Sequence, residues 1–217
     1  MRRRGLILLA VLALLAWTGF DLFGPRRADI RVFDPAEVAR LDTAMWRSYY
    51  ERRPVALFFQ LAELMREQFH FPLLRSYVAA GRAARAAFVF KDGHDRAEYR
   101  RALPDLFAYY RAIRRISATP FDVASAARLE LEWWIIHRQR GAHRSGDLER
   151  ALAGAAAVLY RKPAVQMMEY ARERTAAMII RDTRAASGGV RETDWAAIEE
   201  RLRRSWQALE DAVRPVR

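Results

Sequence analysis

A run of sixteen uncharged residues, GLILLAVLALLAWTGF at positions 5–20, constrains this chain more than any other feature of it. A stretch this apolar is stable in lipid or inside a protein, and nowhere else. Arg2, Arg3 and Arg4 precede it, and Asp21 and then Gly24-Pro25 follow. Carried on to Phe23 it becomes nineteen residues with one acid near the far end. A spanning helix needs about 17–25 residues and a signal-peptide core about 7–15. Cleavage requires small residues at −3 and −1, and Ala16-Trp17-Thr18 is a poor approach to that. Residues 1–24 therefore read as an uncleaved signal-anchor, with a cleaved signal or a plain buried or peripheral helix as the alternatives. Trp17 and Phe20 suit an interfacial aromatic position.

The positive-inside count is nearly balanced, because Arg26, Arg27 and Arg31 follow the run closely. A short basic tail ordinarily stays in the cytoplasm, and a long following domain translocates largely regardless of its charge. The expectation is a single-pass protein of a bacterial inner membrane, amino terminus inside and the remainder outside.

That remainder reads as a short linker over 25–33 and an α-helical domain over 34–217. Asp34-Pro35-Ala36-Glu37 joins a cap residue, Pro at the first helical position and Glu two further on. Val38, Leu41, Met45 and Tyr49 then follow at helical spacing. Asp95-Arg96-Ala97-Glu98 repeats the capping pattern, and Thr119-Pro120-Phe121-Asp122 is a further start signal. Pro104 kinks or splits one helix, Pro163 opens another, and Thr193 is placed to cap the last. No alternating run bounded by hairpin dipeptides occurs. The fold class is all-α: the anchor helix, then an antiparallel bundle of about seven or eight helices with sequential neighbours in contact.

Composition removes functions rather than proposing any. The 217 residues include no cysteine, which excludes disulfide scaffolds, thiolate metal sites and cysteine nucleophiles. The net charge of +12 raises nucleic acid or an anionic membrane surface as a partner. All but two of the 38 basic residues are arginine, though, spread along the chain and interleaved with acids, as in Arg172, Glu173, Arg174. A nucleic-acid binder concentrates its charge in a stripe or tail, so nucleic acid is a minor reading and acidic headgroups near Arg26 and Arg27 a better counter-charge.

The helix opened by Thr119-Pro120-Phe121-Asp122 carries polar residues on its apolar side. At about 100° per residue, Glu130 and His137 fall among Val123, Ala126, Ala127, Trp133 and Trp134. They are two turns apart, about 10.5 Å along one face. A carboxylate there is costly unless paired. Either an arginine from another helix matches Glu130, with His137 on a carbonyl or tyrosine, or the two residues mark a polar pocket. Trp46, Tyr49, Tyr50, Tyr109, Tyr110, Trp133 and Trp134 could pack a core or line such a pocket.

Glu67-Gln68-Phe69-His70 has the E-x-x-H spacing that aims a carboxylate and an imidazole at one metal, with Glu63 a turn earlier. The full di-iron pattern needs a second such motif and further glutamates, which His94 and His143 do not supply. Gln60, Glu63, Glu67 and His70 also make one continuous polar arc, as a solvated face does. A di-iron or other carboxylate- and His-bound metal is the minority reading, and no cofactor is favoured. Nucleotide-binding, serine-elbow and zinc-protease motifs are absent.

The segments LDTAMWRSYY (41–50) and ARLELEWWIIHR (127–138) resemble those of an uncharacterised group of bacterial hypothetical proteins. The similarity runs through most of the chain after the anchor. It implies no activity, mechanism or site. On residues alone, the function expected is a membrane-anchored interaction module for a protein or lipid partner. The alternative is a bundle enzyme or cofactor carrier with a buried Glu/His site.

Overall fold

A computed structural model describes residues 2–215, so Met1, Val216 and Arg217, at the outer edges of the expected anchor and domain, lie outside the described residues. The side chain of Arg2, first of the basic cluster, does too. The described chain is all-helical, and its only β-type contact is an isolated bridge between Ala28 and Ser117.

Helix α1 (Arg2–Phe23) is long and apolar enough to cross a membrane, a property it shares with a signal sequence. Its Leu6, Leu9, Leu12, Leu15 and Phe20 are exposed, so none of the described residues buries them. The far end of α1 is another matter, because it is locked to α4 (Leu73–Asp92). Pro72, at the N-cap of α4, has no side-chain oxygen to offer. Asp21 replaces it: Oδ1 accepts the N–H of Leu74 at 2.9 Å and of Arg75 at 3.3 Å. In return the Arg75 guanidinium donates to the last carbonyls of α1, those of Asp21 and of Gly24, the latter at 2.7 Å. Each helix end satisfies the orphan groups of the other. Gly24 is needed at the turn, since a Cβ there would meet the Phe20 carbonyl oxygen at 2.5 Å.

Residues 25–33, expected as a linker, are built into the domain. Ala28 accepts from the Ala118 N–H and donates to the Ile116 carbonyl, both at 2.8 Å. Ile30 and Phe33 are buried in the main core.

Eight helices of fourteen residues or more follow among the described residues: α2 (Pro35–Tyr50), α3 (Pro54–Phe69), α4, α6 (Leu103–Ile116), α7 (Val123–Arg138), α8 (Asp147–Tyr160), α9 (Met168–Ala186) and α10 (Glu192–Val213). The start signals act as their chemistry demands. Asp34 Oδ1 accepts from Ala36 N at 2.9 Å, and Asp122 Oδ1 from Ala124 N at 2.8 Å. Pro104 splits its segment into a single turn, α5 (Arg96–Tyr99), a 3₁₀ turn and α6. Two expectations need correction. Pro163 opens a 3₁₀ turn, Ala164–Met167, and α9 begins only at Met168. Thr193 does not cap α10, which starts at Glu192; instead Asp194 reaches back to the Arg191 N–H at 2.9 Å.

The helices pack in chain order, α2 on α3, α3 on α4, α4 on α6, and so on to α9 on α10. The last then packs against the first, α10 on α2, which closes the circuit. Leu41, Leu106, Ile113, Ile135, Ile198, Leu202 and Leu209 are almost wholly buried in one continuous core. Each such side chain contributes roughly 1.5–3 kcal/mol on burial. A closed circuit leaves a middle to be filled, and here it is filled only in part.

Candidate functional site

A cavity of about 520 Å³ lies inside the circuit. That is within the usual range for small-molecule sites, about 300–1,000 Å³. Every large helix of the domain contributes to its wall. About a third of the lining residues are aromatic, among them Trp46, Tyr49 and Tyr50 from α2, Tyr109 and Tyr110 from α6, and Trp133 and Trp134 from α7. These are the aromatics the sequence left open between core and pocket. They serve both, because each packs against the core with one side and faces the cavity with another.

Glu130 faces the cavity. Its Oε2 accepts from the Tyr110 hydroxyl at 2.9 Å and the Trp133 indole N–H at 2.9 Å, and its Oε1 accepts from the Trp134 indole N–H at 3.0 Å. The arginine match considered for it is not made; among the described residues its three hydrogen-bond partners are all neutral. Burial pushes the carboxyl pKa up, and the three donors and the more distant Arg174 charge only partly oppose this. The helix sets the geometry: Trp133 and Trp134 stand three and four residues on from Glu130, so both indoles fold back over the same turn.

His137 lines the same cavity two turns along α7, as the wheel predicts. Its partner is neither a carbonyl nor a tyrosine: Nε2 lies 3.0 Å from Asp182 Oδ2 on α9. Asp182 also accepts from Arg140 at 3.0 Å and from Arg181 at 2.8 Å. Burial would raise the Asp182 pKa, but the hydrogen bonds from His137 and Arg181 and their charges outweigh it and hold the group at about 2. Glu130 and His137 thus share a wall without touching a common partner.

Two polar groups of this site escaped the sequence reading. Asp42 is fully buried, and its Oδ2 accepts from Arg174 Nη1 at 2.5 Å and from the Trp206 indole N–H at 2.9 Å. The Arg174 guanidinium lies over Trp46 and Trp206, 5.2 and 5.7 Å from the ring centroids. The signal was available in the same wheel. Asp42 falls about 40° from Val38 on the apolar stripe of α2, and Arg174 falls about 40° from Met178 and about 60° from Ala171, at the side of the apolar stripe of α9.

The metal candidates do not converge. His70 ends α3 in the left-handed region, φ 58°, and its Nε2 is 2.7 Å from the Val32 carbonyl oxygen. Leaving the helix takes the imidazole off the face that E-x-x-H spacing assumes. Glu67 is exposed and Glu63 half-buried. Among the described residues no group of three or more His, Asp or Glu side chains is placed to hold a metal ion.

The segments 41–50 and 127–138, singled out in the sequence, both line the cavity, through Asp42, Trp46 and Tyr49 in one and Glu130, Trp134 and His137 in the other. No protein family, no curated protein and no solved structure matches the chain, so the geometry of this aromatic chamber is what speaks for its function.

Proposed function

We propose that this chain is a membrane-tethered helical bundle that binds a small organic molecule inside its ring of helices. The reading rests on one observation: an unpaired carboxylate, Glu130, presented by an aromatic wall to a cavity of about 520 Å³. A largely apolar space of this size, walled by every large helix of the domain, has the form of a small-molecule site. A half-buried acid whose hydrogen-bond partners are all neutral is a cost without a ligand. The exposed apolar α1 supports the tether; an uncleaved anchor in a bacterial inner membrane, with the domain on the outer side, is part of the same proposal and rests on the short basic tail ahead of the apolar run. The protein- or lipid-interaction reading uses the same tether but leaves the chamber without a role.

The test is native mass spectrometry of the full chain, extracted gently in detergent. We expect a bound small molecule that is lost when Ala155→Trp fills the cavity. A ligand-free spectrum, together with failure of any organic probe to bind, would sink the reading. An alkaline-phosphatase fusion at the carboxyl terminus tests the orientation, which predicts an active fusion.

A further inference from the structure

The charges around the chamber are not equally engaged. Arg174 is spent on Asp42. Arg181 is spent on Asp182 and on the face of Tyr50, 3.3 Å from the ring centroid. Arg138 donates to the carbonyls of Phe90, Lys91 and Gly93 where α4 ends, and lies over the Phe90 ring at 4.5 Å. Each cation therefore has its counter-charge or its helix terminus. Glu130 is the acid left over.

Its immediate partners define which state it is built for. An indole N–H donates and cannot accept. Two indoles and a phenol aimed at one carboxyl group make a cradle for a carboxylate. Oε1 takes only one of the three donors and keeps acceptor capacity. The surrounding rings offer π faces, and the domain already seats its own guanidinium groups on such faces at Trp46, Trp206 and Tyr50.

We propose that the ligand is an organic ammonium ion, with its cationic nitrogen against Glu130 and its carbon framework among Tyr110, Trp133 and Trp134. The inference rests on the chamber being a ligand site. A cation there replaces the missing counter-charge, so binding favours the ionised carboxyl group and competes with its proton. The other titratable groups that line the chamber are Asp42, Tyr49 and Tyr50 on α2, Tyr109 and Tyr110 on α6, His137 and Arg138 on α7, Tyr160 on α8, and Tyr170, Arg174, Arg181 and Asp182 on α9. The tyrosines stay neutral because burial raises their pKa values, and Arg174 stays paired with Asp42. His137 and Asp182 are paired with each other farther along the wall, so Glu130→Gln separates the acid dependence due to Glu130 from theirs.

The experiment compares choline with 3,3-dimethylbutan-1-ol, its uncharged carbon isostere, on the full chain in detergent by titration calorimetry and tryptophan fluorescence. Choline is expected to bind at least about tenfold more tightly than the alcohol. Its affinity should fall by up to about tenfold per pH unit as Glu130 is protonated, while that of the alcohol stays flat. Glu130→Gln should abolish the difference between the two probes. Should that variant fail to fold, the two-probe comparison and its pH dependence in the unaltered chain still decide. Equal binding of choline and the alcohol overturns the ammonium assignment and leaves the chamber as a site for neutral ligands. Binding of neither probe, with an unidentified mass still displaced by Ala155→Trp, also overturns it without touching the chamber reading.

Discussion

Asp42 and Arg174 form the most deeply buried ion pair of the domain, and the indole N–H of Trp206 completes it. Removing one partner leaves an uncompensated charge in the interior. Asp42→Ala is therefore expected to lower unfolding stability by about 3–5 kcal/mol, read from urea denaturation. The double variant Asp42→Leu with Arg174→Met should recover most of that loss, because an apolar pair of similar volume is often as stable as the ion pair. A double variant as weak as the single one would contradict this account. Asp182 gives a second test. Its folded pKa of about 2 lies below the ordinary 3.8, so its contribution is present above pH 3.8 and is lost as pH falls toward 2. Asp182→Asn should flatten that part of the acid limb in a stability profile. Glu130 and His137 were legible one by one, because a polar residue in an apolar stripe shows on a helical wheel. Trp133 and Trp134, two of the partners of Glu130, lie at the three- and four-residue spacing that the same wheel shows. Tyr110 and Asp182 were not legible, because they come from other helices and no local period encodes how those pack.

Local chemistry made the starts of α2, α5 and α7 readable, since an aspartate cap and the amides it binds lie within three residues of each other. The junction of α1 and α4 shows the limit. Asp21 caps a helix whose first amide lies 53 positions away, so no motif window contains both halves. Asp21→Ala is expected to destabilise this junction by about 1 kcal/mol, the usual value of a lost N-cap. Arg75→Ala should loosen the reciprocal half. The chain has no cysteine, so spin labels can be placed at Ala16→Cys and Val78→Cys without background. Pulsed electron resonance should give a narrow distance distribution in the otherwise unaltered protein and a broad one in either variant. An unchanged distribution in both would mean that packing alone holds α1.

Closure of the circuit by α10 on α2 is a property of the whole domain, and it leaves Tyr110 and Tyr160 buried and Tyr50, Tyr109 and Tyr170 half-buried. Burial raises the pKa values of Tyr109, Tyr110, Tyr160 and Tyr170, and pushes Tyr50 up to about 12. An acid whose pKa is raised by folding holds its proton longer in the folded state. The fold is then fully stable with respect to these groups below pH 10 and loses stability as pH climbs from there toward 12. Tyrosinate absorbance near 295 nm should therefore rise together with the loss of helical circular dichroism. A gradual rise at pH 10 with the helices intact would mean that the ring opens freely to solvent. The all-helical class was legible because it depends on periodicity. The ring was not, because its closing contact joins elements at opposite ends of the chain.

The clasp between Asp21 and Arg75 also removes a degree of freedom. A domain on a slack tether can swivel and present any flank, whereas here the attitude of the ring follows that of α1. Inserting one residue into α1 ahead of the clasp would roll its outer residues by about 100° relative to the domain. Whatever grips that helix therefore also decides which way the rest of the molecule faces.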